Sequence, residues 1–130
     1  MIMILSAHVA DLKGACRKEV ALQLIAHLEK HFGKVKIDYD EFIHTGVKHE
    51  RKKDGVMTHQ FAYVEQLKPL LVPRGGNDDA EAEGEIREGF HSLLGGVAWI
   101  VITRGDVMVY VQALQQRSKA PRLRDCRRLN

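Results

Sequence analysis

An apolar segment in the last third of the chain constrains the fold most. Residues 86–102 are apolar on nearly every side of a helical wheel, which predicts a helix buried on several faces. Their longest apolar run, Leu93 to Ile102, has 10 residues and is too short to cross a bilayer. Gly95 and Gly96 each cost about 1 kcal/mol relative to alanine inside a helix, so we expect another backbone to approach closely there. The segment therefore predicts a core helix rather than a membrane span.

The composition is that of a globular chain in a reducing compartment. The 130 residues are 45% hydrophobic and 28% charged, which is the range of globular rather than disordered proteins. Cys16 and Cys126 are far apart and lack the spacing of metal ligands, so neither a disulfide scaffold nor a zinc ribbon is expected. The apolar start of the chain lacks the basic region of a signal peptide. We therefore expect an intracellular, cytoplasmic protein with no membrane partner.

Hydrophobic periodicity changes several times along the chain and predicts an α+β fold. The expected elements are a strand at residues 1–9, a turn at 11–14, a helix at 17–32, strands at 35–39, 42–51 and 56–59, a helix between Gln60 and Pro69, and helices at 86–102, at 107–116 and from Pro121. Gly33 follows the first helix, as is typical of a helix end. Asp54-Gly55 is typical of a hairpin turn.

Two further features concern the second half of the chain. The acidic segment, residues 72–84, has no apolar side chain larger than alanine after Val72 and Pro73, which predicts a mobile acidic linker. Trp99 and Tyr110 stand among aliphatic residues at helical spacing, which predicts core positions for both.

Positive charge is concentrated at the end of the chain. The net charge is +3, yet the basic tail, residues 117–130, carries six basic residues and only one acid. Its basic residues are Arg117, Lys119, Arg122, Arg124, Arg127 and Arg128. Such a tail can bind phosphates and release counterions, or it can simply be the solvated face of a helix.

Five blocks of sequence, in order, carry a resemblance to a known family. They are residues 4–12 (ILSAHVADL), 28–33 (LEKHFG), 44–51 (HTGVKHER) with Asp54-Gly55, 60–67 (QFAYVEQL), and 90–99 (FHSLLGGVAW) with 103–107 (TRGDV). Together they resemble the reverse transcriptase of copia-type long-terminal-repeat retrotransposons. The first block resembles the strand–turn–strand that bears the family's Tyr-Val-Asp-Asp motif. The last resembles Tyr-Arg-x-Leu-Val-Gly-x-Leu-x-Tyr followed by Thr-Arg-Pro-Asp-Ile, at the same spacing.

The resemblance implies an organisation in four parts. Residues 1–33 would be a palm remnant with a degenerate Tyr-Val-Asp-Asp hairpin, and residues 34–71 a thumb-like hairpin and helix. The acidic linker at 72–84 would follow, and residues 85–130 would be a helical connection segment that ends in the basic tail. The strand at 1–9 would lack its sheet neighbours, so we expect the chain to fold only in part on its own.

The resemblance also implies a depleted catalytic centre. Polymerases of this kind hold two Mg²⁺ ions on converging carboxylates, which are one upstream aspartate and the aspartate pair of the hairpin. In this sequence the upstream strand is missing, Ala10 stands at the first position of the pair, and His8 replaces the tyrosine. Asp11 is the remaining candidate for a catalytic and metal-binding residue. We therefore expect a remnant of an RNA-directed DNA polymerase that binds no Mg²⁺ and is inactive as this chain.

Two other functions remain open from the sequence. The first is a nucleic-acid-binding module that contacts a template–primer without sequence preference through the residues Lys13, Lys52, Lys53, Arg122, Arg124, Arg127 and Arg128. Because aromatic side chains are scarce, such binding would be weak. The second is a protein-interaction fragment whose apolar helix at 86–102 is exposed and causes self-association.

Overall fold

The computed structural model describes residues 3–130 and shows an α+β protein, which confirms the predicted class. The chain divides into two compact units, one ending at His59 and the other formed by Gln60–Asn130. The N-terminal unit contains β1 (Ile4–His8), β2 (Asp11–Ala15), α1 (Lys18–Phe32), β3 (Glu41–His44), β4 (Val47–Lys52) and β5 (Gly55–His59). The C-terminal unit contains α2 (Phe61–Val64), α3 (Gly84–Ile100), a 3₁₀ turn (Gly105–Val107), α4 (Met108–Gln115) and α5 (Leu123–Leu129). Within residues 3–130, no helix is long and apolar enough to cross a membrane.

The first two strands form an antiparallel hairpin with a tight tip. His8 lies opposite Asp11, so Val9 and Ala10 are the two turn residues. The turn predicted at 11–14 is wrong, because these residues pair with β1 and thereby satisfy its backbone groups. The first two residues of the predicted strand lie outside the described part of the chain. Val9 has a φ of 52°, a left-handed conformation that strains a β-branched residue.

The predicted helix that follows this hairpin is confirmed as α1. Gly33 ends it with a φ of 80°, and its N–H donates to the carbonyl oxygen of Glu29 at 3.0 Å. The strand predicted at residues 35–39 is wrong, because this stretch forms no ladder. These residues instead line a cleft together with apolar side chains of α1 such as Leu24 and Leu28. Their alternating apolar pattern therefore reflects contact with a helix cleft rather than strand pairing.

β3, β4 and β5 form a three-stranded antiparallel sheet in sequence order. The predicted strand at 42–51 is divided by a turn at Thr45 and Gly46, whose φ values are 51° and 75°. Two successive residues with positive φ are typical of the tight turn that matches the twist of a hairpin. The hairpin predicted at Asp54-Gly55 is present, but its register differs by one residue because Gly55 already pairs with Lys52.

The core of the C-terminal unit lies among α3, α4 and α5, as the apolar pattern of residues 86–102 predicts. Its buried residues are Ala82, Phe90, Leu94, Val111, Leu114, Cys126 and Leu129. A Cβ added at Gly96 would lie 2.9 Å from Cδ2 of Leu67. The close approach at Gly96 thus comes from a side chain rather than from the expected backbone. At Gly95, no described atom beyond its chain neighbours and the backbone of its own helix lies within 4 Å of the equivalent position.

One predicted helix of this unit is shorter than expected, and two predicted core residues are exposed. The helix expected between Gln60 and Pro69 ends at Val64 and continues only as turns. Trp99 is 41% exposed and Tyr110 is 73% exposed, so neither is a buried core residue. α4 has only eight residues and turns Val111 toward the core. Tyr110 precedes Val111 by about 100° on the helix and therefore points elsewhere.

The acidic segment is not the mobile linker that its composition predicts. Three backbone hydrogen bonds join it to residues 121–124: Ala82 N to Pro121 O (2.7 Å), Leu123 N to Ala80 O (3.0 Å) and Arg124 N to Asp78 O (3.0 Å). Ala82 is fully buried in the core. Backbone pairing, Ala82 and Val72, which packs against the same core, therefore fix a stretch that is otherwise poor in apolar residues.

The core predicts a large effect of truncating Phe90, whose side chain is fully buried. Replacing Phe90 with alanine should lower the free energy of unfolding of the C-terminal unit by about 3–5 kcal/mol, because it removes buried surface and leaves a cavity. Urea unfolding followed by the fluorescence of the single tryptophan, Trp99, measures this. The control Leu71→Ala, at a side chain that is 94% exposed, should change it by no more than about 0.5 kcal/mol. Equal effects of the two substitutions would contradict the placement of the core.

Candidate functional site

Asp11, which the resemblance implies as the remaining catalytic residue, lies beside the tip of the first hairpin. Asp11 is the first residue of β2, is exposed, and lies directly opposite His8. Directly opposed residues of an antiparallel pair share a face. The donors at this face are therefore one carboxylate and one imidazole, since Ala10 supplies none. This donor set does not fit a pair of Mg²⁺ ions, which require several converging oxygen ligands.

The described residues also show no other metal centre. Nowhere in residues 3–130 do three histidine, cysteine, aspartate or glutamate side chains converge as a metal site would require.

Several histidines of the N-terminal unit contact other rings, and the sequence did not predict these contacts. The rings of His8 and His44 meet edge to face, with their centroids 6.5 Å apart. His49 stacks on Phe42 at 5.0 Å and is 9% exposed. Its Nε2 atom has no hydrogen-bond partner among the described residues. Burial above all, together with the charges of Lys13 and His44, lowers the pKa of His49.

Glu50 is the centre of an ion-pair network on the three-stranded sheet. Its carboxylate lies 2.6 Å from Nζ of Lys52 and 3.3 Å from both Nζ of Lys48 and Nε2 of His59. The hydrogen bond from Lys52 contributes most to lowering the pKa of Glu50 to about 2. Lys52, a predicted nucleic-acid contact, is therefore already engaged by a carboxylate. Lys53, in the following turn, is exposed.

The other predicted nucleic-acid contacts occupy different parts of the fold. Lys13 is half-buried in β2, opposite Ser6. The four predicted arginines lie close together in the C-terminal unit, at or within α5, whose bounds are Leu123 and Leu129. The structure thus brings the four predicted arginines together within the C-terminal unit.

Three of these four arginines are paired with carboxylates of the acidic segment. Oδ1 of Asp79 accepts contacts from Nη1 of Arg124 at 2.5 Å and from Nη1 of Arg122 at 3.2 Å. Nη1 of Arg127 contacts Oδ1 of Asp78, and its Nη2 donates to the carbonyl oxygen of Pro73 at 2.9 Å. These arginines are therefore paired within the chain, a pairing that the separate positions of the two segments in the sequence did not reveal.

The remaining basic residues of the tail are exposed. Arg117, Lys119 and Arg128 are exposed and have no ion pair within the described part of the chain. The loop that carries the first two is held in place through its carbonyl groups. Nη2 of Arg87 donates to the oxygen of Lys119 at 2.7 Å, and Nε2 of His91 lies 2.7 Å from the oxygen of Ser118. Arg117 and Lys119 belong to the basic tail but were not among the predicted nucleic-acid contacts.

Comparison with family models, with curated proteins and with solved structures found no match to this chain. The resemblance to reverse transcriptases therefore depends on the five sequence blocks. The structure itself shows that Asp11 lies beside the hairpin tip, and it shows which basic side chains have a carboxylate partner.

The buried His49 predicts that the N-terminal unit loses stability in mild acid. The pKa of His49 in the folded chain lies below the ordinary value of 6.5. Neutral His49 therefore stabilises the folded chain above pH 6.5, and this stabilisation is lost as the pH falls through the folded pKa. His49→Phe should remove this part of the pH dependence while keeping the stack on Phe42. Urea midpoints followed by NMR signals of β4 across pH 7 to 5 measure the effect.

A matched substitution at an exposed position provides the control. Ile43→Phe adds the same ring at a side chain that is 70% exposed and removes no titratable group, so it should leave the pH dependence unchanged. Glu50 affects stability in a separate pH range. Because its pKa is lowered, its stabilisation of the folded chain is lost only as the pH falls from about 4.5 toward 2. A pH dependence that persists unchanged in His49→Phe would refute the role of His49.

Proposed function

We propose that this chain is part of a copia-type retrotransposon reverse transcriptase, an RNA-directed DNA polymerase, and that it is catalytically inactive as it stands. The observation that carries the proposal is the two-residue hairpin tip at Val9 and Ala10, which makes Asp11 the first residue of the returning strand. This position is consistent with the one that the resemblance implies for the second aspartate of the degenerate Tyr-Val-Asp-Asp block. α1 follows it at residues 18–32, again in the order of the blocks.

The inactivity follows from the chemistry of phosphoryl transfer. Two cations must stabilise both the entering and the leaving oxygen, and converging carboxylates must hold them. Asp11 is one carboxylate, and the adjacent Ala10 cannot supply a second. A single exposed aspartate cannot neutralise and position two divalent ions. The hairpin in this chain thus retains the shape of the site without its ligand set.

A second function is supported by the exposed cations. Lys53, Arg117, Lys119 and Arg128 are exposed basic side chains without an ion pair among the described residues. Exposed cations bind the sugar-phosphate backbone without reading the bases. The second proposed function is therefore weak, sequence-independent binding of nucleic acid.

The hairpin proposal predicts that a second carboxylate at the tip restores cation binding. Ala10→Asp should bind Mn²⁺ about tenfold more tightly than the unmodified chain, because affinity for hard cations rises with the number of converging carboxylates. Isothermal titration calorimetry measures the binding. Ala7→Asp adds the same charge on β1, but at a position facing the other side of the ribbon from Asp11.

The control and the polymerase assay give two ways to contradict this proposal. Equal Mn²⁺ affinity of Ala10→Asp and Ala7→Asp would show that the tip does not bring positions 10 and 11 to a shared ion. Incorporation of nucleotides by the unmodified chain on a primed template, with Mg²⁺ or Mn²⁺, would refute its inactivity.

The binding proposal predicts a salt dependence that rests on the unpaired cations. Arg128→Gln should weaken binding of labelled duplex DNA and reduce the slope of log K against log salt by about 0.9 if it removes one phosphate contact. Arg104→Gln is the matched control, because Asp106 balances its charge one to one through two hydrogen bonds of 2.8 and 2.6 Å. Fluorescence anisotropy at several salt concentrations measures both. Affinity that does not change with salt would contradict the proposal.

A further inference from the structure

The three paired arginines of the tail form a compact cluster of oxyanion-binding groups. Arg122 and Arg124 converge on a single oxygen of Asp79, and Arg127 contacts Asp78. A guanidinium presents its donors in a rigid planar fork that suits carboxylate and phosphate oxygens alike. The two aspartates thus occupy positions that phosphate oxygens could take.

These ion pairs are solvated and can exchange. The five side chains are between 32% and 65% exposed, and ion pairs in such positions contribute little to stability. Two carboxylates face three guanidinium groups, so the cluster retains a net positive charge. A phosphodiester backbone, which offers many oxygens in a row, can therefore compete with them.

The backbone of the acidic segment does not depend on these carboxylates. Its three hydrogen bonds to residues 121–124 use main-chain atoms, and Ala82 anchors it in the core. Asp125 differs, since it is buried and its Oδ2 accepts a hydrogen bond from the N–H of Arg122 at the start of α5. Asp125 is therefore structural, whereas Asp78 and Asp79 can be neutralised without removing the supports of the fold.

We propose that Asp78 and Asp79 are an internal mimic of phosphate that masks a nucleic-acid-binding site formed by Arg122, Arg124 and Arg127. The contact is autoinhibitory: binding of the sugar-phosphate backbone displaces the two aspartates from the guanidinium groups. The inference rests on the proposed binding of nucleic acid. It adds the three paired arginines to the unpaired cations as groups that bind the phosphates.

The test compares two double variants that change the net charge equally. Asp78→Asn/Asp79→Asn unmasks the arginines, whereas Glu83→Gln/Glu85→Gln removes two neighbouring carboxylates that pair with no arginine in the described structure. Binding of labelled duplex DNA is measured by anisotropy over a range of salt. The slope of log K against log salt should become steeper by about 2 to 3 in the aspartate variant, which is about 0.9 for each arginine released. It should change little in the glutamate variant.

The outcomes separate this inference from the proposed function. Equal slopes in the two double variants, with binding by the unmodified chain, overturn the masking and leave the binding intact. Absence of binding by all three proteins at low salt refutes the proposed binding itself. Adding Arg124→Gln to the aspartate variant should remove about a third of the gain in slope, and a gain that survives unchanged also overturns the masking.

A measurement on the unmodified chain keeps the inference testable if the variants unfold. Titration with inorganic pyrophosphate, followed by NMR of the arginine Nε–Hε groups, should shift the signals of Arg122, Arg124 and Arg127. The signal of Arg104 should not shift, because Asp106 balances its charge one to one and leaves no excess positive charge. If the signals of Arg117 and Arg128 shift while those of the three paired arginines do not, the masking proposal is wrong.

Discussion

Pairing between the acidic segment and residues 121–127 is the interaction on which the C-terminal unit depends. Backbone hydrogen bonds hold Asp78, Ala80 and Ala82 against the start of α5. They bring Ala82 into the same buried cluster as Phe90 and Cys126. The same pairing places two carboxylates against three guanidinium groups. One set of contacts therefore closes the core and also determines how much of the tail's charge is available to a partner.

The sequence predicts the elements of this fold better than their connections. α1 and α3 follow from a helical apolar period, which depends only on local burial of one face. The stretch 35–39 shows why a period of two is weaker evidence. Apolar alternation favours an extended chain, but a ladder also needs a neighbouring strand, and these residues lie along a cleft instead. The acidic segment is ordered by main-chain pairing, which leaves no mark in the side-chain pattern.

The candidate site could be predicted only in part, for a similar reason. The resemblance implies a hairpin around Asp11, but the residue pattern places the turn at 11–14. The chain instead turns at Val9 and Ala10, neither of which is a residue type that favours a two-residue turn. The pairing of Asp79 with Arg124 joins residues 45 positions apart, and a count of charges within the tail cannot reveal it. Burial of His49 depends on its stack with Phe42 from the adjacent strand. The sequence thus shows which side chains are cationic but not which of them have a carboxylate partner.

Amide hydrogen exchange tests the central pairing most directly. The N–H groups of Ala82, Leu123 and Arg124 donate across the two segments, so each reports on the pairing itself rather than on a helix. We expect all three to exchange about as slowly as the amides in the middle of α3, because opening them requires the core to open. Exchange of these three amides at the rate of an unstructured peptide, with α3 still protected, would contradict the account and return residues 72–84 to a mobile linker.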